Sequence, residues 1–395
     1  MGAIGSLSTY RDAAGADEDS VAALCHLVLS SLPRSDQRRR GELYVRGLLQ
    51  AEGRKSMRNL AGLAGGPAME QSLHHFISKS TWEWEPVRRA LASRLYEELA
   101  PRAWVVQPIT IPKAGQSSVG VEARYLPRLG KTANIQQAYG VWLTSSEASV
   151  PANWRLLLCR AWAEDDERRR RAEVPEHAVD SSPDACARDV VLETAGWGLP
   201  PLPVLMDVRD SSAIAVTADF SAARVPFVLR VDPTVLLLAG SHALPHHGTG
   251  PLPAQRLIES VHRMSRPVEW IDPVTQALRT SFVVAPRVTL PGRALRGRPL
   301  RLLGEWNMNQ RRAPQLWLTD LVDLPASALL RLSKLACRTA RDLAQVSGPI
   351  GIRDFEGRSF AGWHRHTTLV SVAHTASALA EPRRLGSTYR RGILA

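Results

Sequence analysis

The densest set of reactive side chains in the chain is His364, His366 and His374, in GWHRHTTLVSVAHT. Imidazoles can bind a transition metal, but at about 100° per residue His364 and His366 fall ~200° apart on a helix and share no face. Packing and hydrogen bonding explain them more simply. His246 and His247 sit in the Pro/Gly stretch ALPHHGTGPLP and read as loop histidines. Cys25, Cys159, Cys186 and Cys337 are scattered with no CxxC pair, which excludes a zinc ribbon and a disulfide framework. No GxSxG elbow, P-loop or GxGxxG occurs. Positive charge is what the chain has in excess: Lys+Arg 50 against Asp+Glu 38 leaves +12. Such a chain is attracted to polyanions, nucleic acid first. Between Val21 and Leu60 eight basic residues, Arg38, Arg39, Arg40, Arg54 and Lys55 among them, meet three acidic ones. Between Arg287 and Arg312 seven arginines, including Arg293, Arg296, Arg298 and Arg301, meet only Glu305. Both stretches could hold phosphates, or be solvated faces.

These side chains depend on the elements that carry them. A length of 395 residues with 44% hydrophobic content suits two or three domains. Residues 1–17 are small, polar and acidic, and are expected to be loose. From 18 to 100, VAALCHLVLSSL, ELYVRGLLQAEG and VRRALASRLYEELA space apolar residues three and four apart, predicting a bundle of four or five short helices. At Ala103 the period changes. AWVVQPITI reads as a strand, ARYLPRLGKTANIQQAYGVWLT as a hairpin turning at Gly130-Lys131, and WRLLLCRAW as another strand. EDDERRRR reads as a charged loop leading to the helix ARDVVLETAGWG, followed by strands in PLPVLMDV, AIAVT, PFVLRV and TVLLLAG. Strands, helix, then strands predict a mixed α/β layer over 101–240. Residues 241–324, with SFVVAPRVTL, LRLLGEW and QLWLTD, predict a β-rich basic insertion. Helices close the chain over 325–375, before a loose basic tail at 376–395.

The first twenty residues lack a basic segment followed by an apolar one, so no signal peptide is expected. No apolar run approaches the ~20 residues of a membrane span. With the scattered cysteines, this predicts a cytoplasmic protein with no membrane partner.

Several segments resemble the DDE-type transposases of bacterial insertion sequences, the DDE-superfamily endonucleases. They are ELYVRGLL with GRKSM (42–57), STWEWEPVRRAL (80–91), WVV…IPKAG (104–115), ARYLPRLGK (123–131), WRLLLCRAW with RRRR (154–171), AGWGL (195–199), VLMDV (204–208), LLRLSKLACRTARDL (329–343) and FEGRSFAGWHRHTTLV (355–370). The resemblance implies an RNase H-like mixed sheet, with a helical N-terminal domain ahead of it and a β-rich insertion within it. It also implies a site in which two Asp and one Glu hold two Mg²⁺ for in-line attack on a phosphodiester.

The departures fall on that site. Where the family has its first Asp, this chain has Gln107 and Pro108. The second position is Asp207. The Glu position, two residues before Asp342, is Ala340, and a DNA-holding Lys seven residues further on is Ser347. Neutral and apolar side chains cannot replace hard oxygen ligands for Mg²⁺, so no metal cofactor is expected. Pro108 also fixes φ and removes an N–H at the strand end. Glu356 in FEGRS is a conceivable substitute ligand, but a scaffold or capping role suits it better.

Two readings remain. One is a transposase-like protein that binds double-stranded DNA without cutting it, through the helical front and the arginine rim, with Lys113 assisting and a homo-oligomer allowed. The other is an enzyme reusing the former cleft on a small anionic metabolite or nucleotide. Its mouth would hold Asp207, Arg209, Asp210 and Lys113, with Glu356, His364 and His366 as further cleft candidates.

Overall fold

The helical period up to Leu99 folds as α1 (Glu18–Val28), α2 (Ser35–Gln50), α3 (Met57–Gly62), α4 (Pro67–Ser78) and α5 (Trp84–Leu99) in a computed structural model. The described residues are 18–126, 130–179, 182–242, 244–246, 248, 250–292, 297–306 and 315–391. Expectations for residues 1–17, His247, Arg293 and Arg296, and for the last four residues, lie outside them. Each helix buries one stripe: Tyr44, Val45 and Leu48 on α2, and Val87, Leu91 and Leu95 on α5, are fully enclosed.

The change of period at Ala103 is the start of β1 (Ala103–Pro112), the central strand of the sheet. β2 (Val121–Leu126), β3 (Lys131–Thr144) and β4 (Ser149–Leu156) follow. The long β3 pairs antiparallel with β1 along its whole length, with β2 through its first half and with β4 through its second. Gly140 lies opposite Gln107 in this ladder. A Cβ there would stand 2.7 Å from both the Trp142 Nε1 and the Trp154 ring, so the absent side chain makes room for two core indoles.

The chain then crosses the sheet through α6 (Arg160–Ala163), α7 (Asp166–Arg171) and α8 (Pro183–Ala195) to β5 (Val204–Asp207), and through α9 (Ala213–Ala222) to β6 (Phe227–Val231). β5 runs parallel to β1, with Trp104 beside Val204, and β6 runs parallel to β5. The spatial order β4–β3–β1–β5–β6, three antiparallel strands followed by two parallel ones, is the RNase H-like mixed sheet. Gln107 and Asp207 therefore stand at neighbouring positions on adjacent strands.

Three local expectations differ from the fold. AIAVT is not a strand but the first turns of α9. The Ser212 hydroxyl accepts from the Ala215 N–H at the helix start, and Val216, Thr217 and Phe220 share a buried face. Cap and burial outweigh β-branched composition here. The strand expected through Trp162 ends at Leu156, and the arginine-rich loop contains α7, capped by the Asp165 carboxylate on the Arg168 N–H.

The β-rich stretch continues the same sheet. β7 (Leu236–Ala239), β8 (Leu252–Pro253), α10 (Ala254–Ser260), β9 (Arg266–Ile271), β10 (Leu278–Val284), β11 (Arg287–Thr289), β12 (Leu300–Trp306) and β13 (Gln315–Thr319) follow in order. β13 pairs antiparallel with β6, and β12 with β13.

α11 (Ala326–Asp342) then packs on the sheet, passes through a π-helical turn at Leu343–Ser347 and α12 (Gly348–Ile350), and leads to α13 (Phe360–Arg391). The α13 ladder continues through most of the stretch expected as a loose tail. Three hydroxyls seat α11: Thr339 Oγ1 lies 3.1 Å from Thr144 Oγ1 and 2.8 Å from Ser149 Oγ. Beside them a buried Arg338–Asp342 pair at 2.7 Å also accepts the Ser149 N–H.

From Trp363 to Thr375 α13 is enclosed on all sides. Its polar residues His364, Arg365, His366, Thr367, Thr368, Ser371 and His374 are all buried. Arg88 of α5 meets this helix. Its guanidinium donates to Asn153 Oδ1 (2.9 Å), the Trp154 carbonyl (2.8 Å), Thr368 Oγ1 (2.7 Å) and the His364 carbonyl (3.1 Å). No carboxylate is among those acceptors. Removing the guanidinium leaves several buried acceptors unpaired. Arg88→Ala is therefore expected to cost about 3–5 kcal/mol of stability in urea unfolding. A loss under 1 kcal/mol would mean that the node contributes little.

Candidate functional site

β5 and β6 end on one edge, level with Gln107 midway along β1, and Asp207 closes β5 there. Its carboxylate is half-exposed and heavily engaged. Arg209, two residues on, donates through Nε to Oδ1 at 2.9 Å and to Oδ2 at 3.1 Å, and through Nη2 to Oδ2 at 2.7 Å. The Arg209 backbone N–H adds a contact at 3.2 Å. From β6, Arg230 lies beside Asp207 in register, with Nη1 at 3.5 Å from Oδ2. The hydrogen bond to Asp207 raises the Arg209 pKa above its usual value, while burial and the Arg209 charge lower that of Arg230. Gln107, on the adjacent strand, turns its amide to the Pro108 carbonyl at 3.3 Å, and Pro108 is exposed. Ala340 is exposed on α11 and shares a face with Cys337 one turn earlier. Among the described residues, no three His, Cys, Asp or Glu side chains converge as a metal site would require.

The other residues singled out by sequence do not gather at Asp207. Lys113 follows β1, six residues past Gln107, which is ~20 Å along an extended strand. It donates to the Phe355 carbonyl at 2.6 Å. Glu356 pairs with Arg54 at 2.7 Å in the same region. Asp210 follows Arg209 and faces solvent. Ser347 is fully buried, and its hydroxyl meets His374 Nδ1 at 2.7 Å. The position read as a DNA-holding lysine thus points into the core, at the end of the π-helical turn.

The basic stretches divide in the same way. Arg38 donates to the Leu32 carbonyl at 2.6 Å, and Arg40 to Ser72 at 2.8 Å and to Asp36 at 2.5 Å. Arg298 reaches Asp320 at 3.5 Å, and Arg301 is held by the Ala285 and Leu324 carbonyls. Arg39 is exposed. Sequence reasoning missed Arg230. Its only signal is the length of PFVLRV, which places an arginine level with Asp207 once β6 is set parallel to β5.

This sheet order, with an acidic residue closing the strand next to the central one, defines an RNase H-type nuclease scaffold. A family model for the DDE superfamily endonucleases matches residues 27–289, well over half of the chain, and the chain belongs to that family. A solved piggyBac transposase synaptic complex with hairpin DNA is similar at a TM-score of 0.37 and 11% identity, over 92% of this chain. This chain spans 65% of that one. A search of curated proteins finds no match.

The histidines serve packing in three separate places. His364 is stacked on Trp84 at 4.7 Å between ring centroids and enclosed by Phe360 and Trp363. His366 lies between the Tyr44 hydroxyl (2.8 Å, at Nδ1) and the Gly351 carbonyl (2.9 Å, at Nε2). His374 meets Ser347 and the edge of Trp142. Burial lowers all three pKa values, to about 4 for His366 and about 3 for His374. The unfolded chain therefore takes up protons below about pH 6.5 that the folded chain refuses. Stability is full above that pH. It falls as pH drops towards 4, by up to about 1.4 kcal/mol per unit for each histidine. Urea unfolding at pH 7 and pH 5 should show a shallower decline for His374→Gln than for the wild type; parallel profiles would exclude His374 as a contributor.

Proposed function

We propose that this chain is a transposase-like DNA-binding protein that holds a duplex without cutting it. One observation carries the reading: the Asp207 carboxylate is engaged by Arg209 and neighboured by Arg230, and the family resemblance puts Gln107 and Ala340 at the other ligand positions. Two divalent ions need several carboxylates to offset their mutual repulsion. Here a single carboxylate is already matched by Arg209 and neighboured by Arg230, so a metal would have to displace one cation and sit beside another. The donor set does not fit Mg²⁺, and no catalytic step runs through it.

Membership of a DNA-processing family and the net charge of +12 favour DNA as the partner. Arg39 and the arginines beyond the insertion's core would meet the duplex backbone, releasing counterions at each phosphate neutralised. Arg38, Arg40, Arg298 and Arg301 serve the fold first, which narrows the surface available for the backbone.

Calorimetric titration with Mn²⁺ tests the metal half of this reading. Neither the wild type nor Asp207→Ala is expected to show saturable two-site binding. Tight binding abolished by Asp207→Ala would end the non-cleaving reading. Gel shifts on a duplex test the other half: affinity should fall steeply with salt, and Arg39→Ala should reduce the slope of log K against log salt by about 1. An affinity unmoved by salt would exclude backbone binding.

A further inference from the structure

GRKSM (53–57), FEGRS (355–359) and Lys113 after β1 lie far apart in sequence, yet meet at one place. Between the helical front and α13 the first two border a cavity of about 430 Å³, lined by Tyr44, Lys55, Arg58, Glu70, Asp354 and Phe355 among others. Its volume is that of a small-ligand site, and it stands ~20 Å along β1 from Gln107.

Lys55 gives the cavity its character. The residue is 7% exposed. Its stem is clamped by Gly351: a Cβ added there would stand 2.5 Å from Lys55 Cγ, and the Gly351 φ of +100° is one that only glycine adopts freely. The Lys55 backbone N–H donates to Asp354 Oδ2 at 2.8 Å, so this carboxylate fixes the main chain. Among the described residues, the ammonium donates to the Ala51 carbonyl alone. An ammonium has three donors, so two remain for a ligand in a place where an unpaired cation is costly.

The lining also carries carboxylates: Asp354 is engaged by the Lys55 N–H, and Glu70 stands there without an ion pair among the described residues. Glu356 is taken by Arg54 at 2.7 Å, and Lys113 is tied to the Phe355 carbonyl. Arg58 stands exposed at the mouth. The back wall is neutral, since the Tyr44 hydroxyl and His366 are bonded to each other. Phe355 lies against His366, with ring centroids 5.5 Å apart. A buried cation, an exposed guanidinium at the entrance and an aromatic wall match a phosphate group carried by a planar base.

The geometry points to a phosphomonoester site: this cavity takes the terminal phosphate of a nucleotide, with Lys55 and Arg58 as its cations. Backbone phosphates inside a duplex lie on a convex surface, and a lysine this enclosed is beyond their reach. A 5′-phosphorylated strand end can enter, and so can a free nucleotide. The strand-end form rests on the DNA-binding reading above; the phosphate site itself does not.

The test uses the full chain. Binding is measured for a duplex with 5′-phosphate ends, the same duplex with 5′-hydroxyl ends, thymidine monophosphate and inorganic phosphate. Wild type is compared with Lys55→Met, with Arg58→Ala, which is exposed and not expected to disturb folding, and with Arg224→Ala as a charge-matched control away from the cavity.

A preference of at least 10-fold for the phosphorylated duplex, lost in Arg58→Ala and kept in Arg224→Ala, assigns the site to strand ends. Saturable binding of thymidine monophosphate or inorganic phosphate with the same variant pattern assigns it to free phosphomonoesters. If the duplex fails to bind at all, the DNA reading falls while the small probes still decide the site. Equal affinity for the two duplexes, together with no saturable binding of either small probe, overturns the inference, as does binding that Arg58→Ala leaves intact.

Discussion

Arg88 is the point on which the arrangement of the chain depends. A guanidinium cannot shed its proton to escape burial, so enclosing one without a carboxylate demands that neutral dipoles solvate it from every side. Asn153 and Trp154 of β4, and His364 and Thr368 of α13, supply those dipoles. They belong to two elements, and Arg88 to a third, so the cation is satisfied only when α5, the sheet edge and α13 are assembled together. Apolar packing alone would tolerate a slide of one helix over another. A fan of directed hydrogen bonds does not.

α13 extends this logic along its length. Beside its buried apolar residues Trp363, Leu369, Val372 and Ala376, this helix encloses many polar side chains, and most of them have particular partners. Arg365 donates to the Trp82 and Ile77 carbonyls at 3.0 and 3.1 Å, His366 meets Tyr44, Ser371 accepts from Trp154 Nε1 at 3.0 Å, and His374 meets Ser347. Through these contacts the helical front is keyed to the sheet. The walls of the cavity around Lys55 are held by the same pairs, notably Tyr44 with His366.

Much of the scaffold could be read from the residues. Helical spacing up to Leu99, the break at Ala103 and the apolar runs of β1, β5 and β6 are direct consequences of which faces must be buried. The mixed sheet and the adjacency of Gln107 and Asp207 followed from the ordered segments that resemble the family. The rest was hidden for physical reasons. AIAVT has strand composition, and only the Ser212 cap and the packing of Phe220 make it helical. Arg230 became part of the site through parallel register, a relation between strands about twenty residues apart that no local pattern encodes. The histidines looked like a cluster in one dimension, and helix geometry with separate partners divided them. Arg38, Arg40, Arg298 and Arg301 looked like a phosphate grip, but four arginines with internal acceptors are structural before they are electrostatic.

The placement of charge ties these observations together. In a two-metal site the carboxylates create a negative hollow that only divalent cations can fill. At the end of β5 that hollow is already closed from within, because Arg209 reaches back two residues and Arg230 stands level on the next strand. Both changes act in one direction. On the reading proposed above, neutral residues at Gln107 and Ala340 would lower the attraction for a metal, and the guanidinium groups beside Asp207 raise the repulsion a metal would meet. A guanidinium can neutralise Asp207 and hold a phosphate oxygen, but it is not a Lewis acid and cannot generate hydroxide from a bound water as a metal ion does. On the proposed reading this edge binds rather than cuts, while Lys55 stands in the separate cavity between the helical front and α13.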